Sequence, residues 1–358
     1  MSLAKIDVFN VRNIETASLE PSPRLNFLVG PNGSGKTSLM EAIYILGRAR
    51  SFRSAHAVHV ISFNKENLTV AGRAVQDANL PSVPIGVQLS RRGREIVLSG
   101  RKLASSADLI WTFPVLLIQP ASTTLLDHAP KFRRQFLDWG VFHVEHGYLE
   151  NWRGYVRALS QRNALLRVGD CRNMETWNRE VARYGTLVTQ SREAYADKLR
   201  PYFLEAARFF FSQHEFELRP MAGWDMQKSL GDVLREEMAS DRKQGYTQSG
   251  PHKGDFSVMA DGRAAKSFLS RGQMKLLVFA LLLAQAHLLE ESVGLRGCVL
   301  IDDLASELDG ENRSELLRFL ELRKAQFFIT ATDPGMIENA SLVDAAVFHV
   351  EHGRVQQV

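Results

Sequence analysis

Eight consecutive residues near the start of the chain constrain it more than any other feature: Gly30-Pro31-Asn32-Gly33-Ser34-Gly35-Lys36-Thr37. They follow the apolar run Leu25-Asn26-Phe27-Leu28-Val29, rich in strand formers, and precede residues 38–46, where Leu39, Ile43 and Leu46 recur at helical spacing. Strand, glycine-rich loop and helix in this order make a Walker A motif, and each residue type in it has a physical task. Glycines let successive backbone N–H groups face phosphate oxygens, and the helix adds the positive end of its dipole. Gly30, Pro31, Asn32, Gly33, Ser34 and Gly35 are therefore expected to wrap a nucleotide. Lys36 is expected to reach the β- and γ-phosphates, and Thr37 to ligate Mg²⁺.

A second apolar run, Cys298-Val299-Leu300-Ile301, ends in Asp302-Asp303, as a Walker B strand does. Asp302 is the candidate Mg²⁺-side carboxylate. Asp303 stands where a glutamate often polarises the attacking water, and its shorter side chain predicts slow hydrolysis. Between the two halves lies Leu269-Ser270-Arg271-Gly272-Gln273-Met274-Lys275, directly before an apolar helix. It resembles the Leu-Ser-Gly-Gly-Gln signature of ABC-type ATPases, with Arg271 in place of the first glycine. The resemblance implies that Ser270 and Gly272 contact a γ-phosphate bound on a partner subunit, and it puts Ser270 and Gln273 with Lys36, Asp302 and Asp303 among the candidate catalytic residues. Taken alone, the segment can also be read as a helix start with Ser270 as N-cap. Ser306-Glu307-Leu308-Asp309 follows at the spacing of a D-loop, and the expected histidine after the next strand is replaced by Thr330-Ala331-Thr332-Asp333.

The order of these motifs resembles the SMC and Rad50 class, and within it the RecF family of bacterial DNA-repair proteins. The resemblance also rests on Phe9-Asn10-Val11-Arg12-Asn13-Ile14, Arg133-Arg134-Gln135-Phe136-Leu137-Asp138 and Gly250-Pro251-His252-Lys253-Gly254-Asp255, so it spans essentially the whole chain. It implies a place for Arg12 beside the nucleotide. Pro120-Ala121 departs from the family's usual Pro-Glu; Gln119 before it is the candidate Q-loop residue and a further Mg²⁺ ligand.

Only about 230 residues separate Lys36 from Ser270, with no sustained heptads, so the long coiled-coil arm of SMC proteins is excluded. The expected fold is α/β: an ABC-type ATPase head, with a P-loop sheet and an antiparallel sheet, built from residues 1–118 and 245–358, and an α-helical lobe inserted at 119–244. Pro81, Pro84 and the basic turn Arg91-Arg92-Gly93-Arg94 are assigned to the antiparallel sheet. That turn could touch phosphate or simply solubilise an edge strand. In the inserted lobe, Leu149, Trp152, Val156, Leu159 and Asn163 step at helical intervals, with Arg153, Arg157, Arg162 and Arg167 between them. This basic set suits a solvated helix face and a DNA-facing one alike.

The net charge is +4, and residues 131–200 carry 13 Lys/Arg against 8 Asp/Glu, a local excess that suits a polyanionic partner. Two distant cysteines, Cys171 and Cys298, make neither a disulfide framework nor a zinc site, and a cytoplasmic setting is expected. The longest apolar run, 276–289, is too short and too interrupted to span a bilayer, so no membrane is expected. Phe-His-Val-Glu-His-Gly occurs twice, at 142–147 and 348–353, and neither copy is read as a metal site. Function follows from the resemblance: an ATP-dependent homodimer, with weak DNA-stimulated ATPase activity, that closes on duplex, gapped or single-stranded junction DNA. RecR is the implied partner, with RecO and RecA acting in the same process. A low-turnover ATP-binding scaffold is the alternative. A transporter ATPase subunit fits less well, since it would have a shorter insertion, a full signature and the terminal histidine.

Overall fold

Two kinds of strand pattern run through the chain, and they build two kinds of sheet. Leu25–Val29, Cys298–Ile301 and Gln326–Ala331 are buried at every position. Continuous burial of this kind belongs to parallel strands covered on both faces. They form the centre of a six-stranded sheet in the order Arg354–Gln357, Ala345–Glu351, Leu25–Val29, Gln326–Ala331, Cys298–Ile301, Val115–Ile118, parallel except at the Arg354–Gln357 edge. Asn67–Val75 instead alternates buried and less buried positions, as a strand with one better-covered face does. It lies in an antiparallel sheet ordered Ile14–Leu19, Ser2–Val11, Asn67–Val75, Val83–Ser90, Gly93–Leu98, Arg101–Lys102. The expected hairpin is present, with Arg91 and Arg92 in its exposed turn.

The computed structural model describes residues 1–75, 81–169, 172–303, 308, 310–332, 335 and 345–358. They divide into two compact units, Met1–Ser122 with Ala286–Val358, and Thr123–Gln285. Both sheets belong to the first unit, and its helix Lys36–Arg48 touches strands of each. Gln326 joins them further: its Oε1 accepts from the Leu3 N–H at 2.7 Å, and its Nε2 donates to the Leu3 carbonyl at 2.9 Å. A buried amide satisfied on both ends this way fixes the register of the two layers.

The second unit holds the helices Pro130–Val144, Tyr148–Val168 and the 37-residue Met174–Phe210, together with a three-stranded antiparallel sheet ordered Arg263–Ala264, Asp255–Ala260, Phe216–Met221. The second unit continues through these strands to Gln285, and the chain re-enters the first at Ala286. The reason is that Asp255–Ala260 pairs with Phe216–Met221, so residues that follow the helices in sequence stay with them in space. The helix Arg271–Val293 runs from the second unit into the first. It is long and apolar enough to cross a membrane, but 67% of its most apolar window is buried inside the protein, as in a core helix.

Two motifs behind the family resemblance meet inside this second unit. Arg133 pairs in a fork with Asp255, at 2.6 and 2.9 Å, and Arg134 donates to the Gly254 carbonyl at 2.9 Å. Arg192 bridges Asp138 at 2.8 Å and the Pro251 carbonyl at 2.6 Å. His252 lies between Tyr155, 2.6 Å away, and the Thr247 carbonyl, 2.9 Å away. Burial lowers its pKa below the ordinary histidine value, which favours a neutral ring accepting from the tyrosine and donating to the carbonyl.

The helix Tyr148–Val168 corrects the sequence reading. Its buried face is Tyr148, Tyr155, Ala158, Arg162 and Leu166, while Trp152 and Val156 are exposed. The helix is thus turned by about one residue, roughly 100°, from the phase read off its apolar residues. Arg153, Arg157 and Arg167 do face solvent, but Arg162 is fully buried and pairs with the equally buried Asp241 at 2.7 Å. The repeated hexapeptide takes two conformations. Its first copy ends the helix Pro130–Val144; its second ends the strand Ala345–Glu351 and turns at His352 and Gly353, both at positive φ.

Candidate nucleotide-binding site

The phosphate loop leaves the sheet at the end of Leu25–Val29, between Gln326–Ala331 and Ala345–Glu351. The Gly30 N–H donates to the Ala331 carbonyl at 3.3 Å, and the chain then turns back so that the Ser34 N–H reaches the Pro31 carbonyl at 3.2 Å. A Cβ at Gly30 would stand 2.1 Å from the Val350 carbonyl oxygen, and Gly35 sits at φ 121, so neither position accepts a side chain without rebuilding the loop. From outside, three contacts hold the curve: Asn13 Nδ2 and the Gly353 N–H both donate to the Ser34 carbonyl, at 3.2 and 2.8 Å, and Ser38 Oγ donates to Asn13 Oδ1 at 2.8 Å. The second hexapeptide copy therefore serves here as the brace behind the loop.

The helix Lys36–Arg48 starts at Gly35 with no side chain capping it, so its first N–H groups are available to an anion. Lys36 is buried and donates to the Gly30 and Pro31 carbonyls at 2.6 and 2.9 Å. Desolvation lowers its pKa, and the charges of Asp303 and Asp302 pull it back up. Ser34 Oγ is buried and has no hydrogen-bond partner among the described residues. An orphaned hydroxyl inside a loop of inward N–H groups is the mark of a site shaped for a polar ligand, and phosphate fits it.

The acidic half arrives on the neighbouring strands. Asp302 follows Cys298–Ile301, and its carboxylate Oδ1 accepts from Thr37 Oγ1 at 3.2 Å and from Thr330 Oγ1 at 2.9 Å. Burial raises the Asp302 pKa above the ordinary carboxylate value, opposed by these two hydroxyls. A serine or threonine hydroxyl beside a carboxylate is the donor set that a hard cation such as Mg²⁺ takes in phosphate sites. Asp303 is at φ 55, a left-handed conformation uncommon for a residue with a side chain, and its N–H donates to Thr330 Oγ1 at 2.6 Å.

The remaining expected residues are placed as follows. Gln119 stands one strand over from Asp302, whose N–H donates to the Ile118 carbonyl at 2.8 Å, and its own N–H is held by Ser122 Oγ at 2.9 Å. Arg12 faces Glu41 of the loop's helix in a two-pronged pair, 2.8 and 2.9 Å. Ser270, Gly272 and Gln273 lie in the second unit, at the exposed start of Arg271–Val293. There Gln273 Oε1 accepts from the Ser270 N–H at 2.9 Å, and Ser270 Oγ accepts from the Gln273 N–H at 3.3 Å. This reciprocal capping box realises the helix-cap reading of Ser270 and leaves the helix end directed outward, beside the exposed Gly272. Of the D-loop residues, Ser306, Glu307 and Asp309 lie outside the described residues, as does Asp333.

Sequence reasoning missed Glu41, Asn13, Gly353 and the role of Thr330. Glu41 alone left a signal, being a carboxylate on a helix face that is otherwise apolar and buried. The others act through contacts between distant segments and leave none.

Comparison with known proteins agrees with this geometry. The family model described as the RecF/RecN/SMC N terminal domain matches residues 2–356. The protein named DNA replication and repair protein RecF of Pseudomonas paraeruginosa (strain DSM 24068 / PA7) is 43% identical over 362 residues, covering 100% of this chain and 98% of its own. Its namesake in Stutzerimonas stutzeri (strain A1501) is 42% identical over 363 residues, with the same coverage. Among solved structures, the recombination mediator protein RecF-ATP of the RecFOR pathway superposes with a TM-score of 0.88 at 27% identity, over 100% of this chain and 97% of that one. The Smc head domain of Pyrococcus furiosus bound to the C-terminal domain of ScpA shares the fold, with a TM-score of 0.61 at 16% identity over 100% and 96% of the two chains. With a full-length family match and full-length relatives above 40% identity, this chain belongs to the RecF family, within the wider group that carries the RecF/RecN/SMC N-terminal domain.

Proposed function

We propose that this chain is an ATP-dependent DNA-binding protein of recombinational repair and replication restart, in which ATP closes a homodimer on DNA near single-strand gaps and slow hydrolysis releases it. The observation that carries it is the meeting of Lys36, Thr37 and Asp302 at the ends of two buried strands that flank Gln326–Ala331, around a loop with an unpartnered Ser34 hydroxyl. The names of its relatives, and the ATP-bound RecF structure, support the same reading. The ATPase lobe is then drawn from residues 1–118 and 245–358, with 119–244 inserted, and its signature-bearing residues up to Gln285 belong to the second compact unit. Lys36 and the loop N–H groups hold the phosphates. Bound Mg²⁺, held by Thr37 and Asp302 with Gln119 nearby, would neutralise phosphate charge. Asp303 orients water, and Arg12 supports the loop through Glu41 or reaches the nucleotide itself. Ser270 and Gly272 of the partner subunit complete the γ-phosphate shell, with Gln273 bracing Ser270. The family reading adds RecR as a direct partner, RecO and RecA as functional ones, and a cytoplasmic setting.

Measuring DNA binding with ATP, with ADP and without nucleotide, on duplex, single-stranded and gapped substrates, tests this reading. ATP-dependent tightening on DNA is expected; equal affinity in all three nucleotide conditions defeats it. The exposed turn Arg91-Arg92-Gly93-Arg94 is the phosphate contact proposed on the first unit. Changing Arg91, Arg92 and Arg94 to Glu should weaken DNA binding and flatten its salt dependence by about one unit of slope per lost phosphate contact. An unaltered slope would leave the turn as a solubilising edge.

Ser270→Arg should leave ATP binding by the monomer intact and block ATP-dependent dimers on sizing. Losing the N-cap costs about 1 kcal/mol, too little to unfold the protein. Loss of ATP binding in the monomer would place Ser270 in its own subunit's site. A low-turnover scaffold is the second reading, favoured by Asp303 with its short carboxylate and left-handed backbone.

A further inference from the structure

We infer that Thr330 is a positioning residue for the acidic half of the site, fixing the Asp302 carboxylate and the backbone of Asp303 through one hydroxyl; this rests on the ATP-binding reading above. Thr330 is almost fully buried and is the penultimate residue of Gln326–Ala331, the strand between the loop's strand and the Asp302 strand. Its side chain thus stands between the two halves of the site.

A threonine hydroxyl has one proton and two lone pairs. Here the proton goes to Asp302 Oδ1, 2.9 Å away, and a lone pair takes the Asp303 N–H, 2.6 Å away. Both bonds tie the end of one strand to its neighbour. The β-branch of threonine and the strand backbone leave this hydroxyl little freedom, so it holds the two acidic residues in a single arrangement.

The partner that shares Asp302 Oδ1 is Thr37, at 3.2 Å. Thr37 is the residue the Walker A motif commits to Mg²⁺. When its hydroxyl turns to the cation, Thr330 remains as the hydroxyl that orients Asp302. The same side chain also accepts from the N–H of Asp303, whose backbone stands at a left-handed φ of 55. A histidine at the sheet's end would reach a γ-phosphate directly, whereas Thr330 acts on the Asp302 carboxylate and the Asp303 backbone.

The test compares Thr330→Val, which keeps shape and removes both bonds, with Thr330→Ser, which restores both without the methyl group, and with Thr330→Ala. The readout is binding of a fluorescent ATP analogue as Mg²⁺ is titrated, alongside analogue binding without Mg²⁺ and thermal unfolding. Thr330→Val and Thr330→Ala should raise the Mg²⁺ concentration at half-saturation about tenfold, as loss of a hydrogen bond to a charged group does. Mg²⁺-free binding should stay near wild type, and Thr330→Ser should recover the wild-type requirement. A wild-type Mg²⁺ requirement in Thr330→Val, or a Thr330→Ser variant as impaired as Thr330→Val, overturns the inference. A wild-type protein that binds no analogue at any Mg²⁺ concentration overturns the ATP reading beneath it.

Discussion

Lys36→Ala should abolish ATP-dependent dimerisation and weaken ATP binding by at least about tenfold. The magnitude follows from the bonds lost: a hydrogen bond from an ammonium to phosphate contributes about 1.5–3 kcal/mol, or about ten- to a hundredfold in affinity. The apo fold should be spared. In it, the ammonium is taken up by the Gly30 and Pro31 carbonyls at 2.6 and 2.9 Å, and burial already penalises its charge. Deleting it therefore removes a desolvation cost along with two hydrogen bonds, and the thermal midpoint should move little. Sizing with and without ATP, beside calorimetric ATP binding, measures both effects. Dimers that persist in Lys36→Ala would remove the loop from the dimer switch.

The second large effect is expected far from the loop, at Arg162. Its guanidinium is fully buried and donates to Asn178 Oδ1 at 2.8 Å, Asp241 Oδ2 at 2.7 Å, Thr247 Oγ1 at 2.6 Å and the Leu234 carbonyl at 3.3 Å. One side chain thus ties the helix Tyr148–Val168 to Met174–Phe210, Leu230–Glu236, Met238–Gln244 and the segment after them. Arg162→Met leaves the Asp241 carboxylate buried without its partner, which costs about 3–5 kcal/mol. Replacing both members, Arg162→Met with Asp241→Met, should recover most of that loss, because no buried charge is then stranded. Denaturant unfolding of the single and double variants checks both halves of the expectation. A stable Arg162→Met would return this residue to the solvated basic face.

Arg162 also shows why the helical unit was less legible than the nucleotide site. Residues 30–37 and the Asp302-Asp303 step were readable because their chemistry is local: a loop between a strand and a helix, and carboxylates at a strand end. Arginine is ordinarily exposed, so the spacing of Arg153, Arg157, Arg162 and Arg167 pointed to one exposed face, solvated or DNA-facing. Asp241, some eighty residues away, overrides that preference for Arg162 alone, and only the packing of the helices brings the two together. Trp152 and Val156, apolar by type, are left outside for the same reason.

By itself, the sequence determined the two Walker elements, the buried strands that carry them, the antiparallel hairpin with its basic turn and the family, because each depends on a short run of residues whose order dictates local geometry. Tertiary structure decided the rest. It seated Thr330 between Asp302 and Asp303, set Asn13 and Gly353 behind the Ser34 carbonyl, paired Arg12 with Glu41, and kept residues 245–285 with the helical unit. Each is a hydrogen bond, ion pair or strand pairing between distant segments, so it exists only once the sheets have brought those segments within about 3 Å.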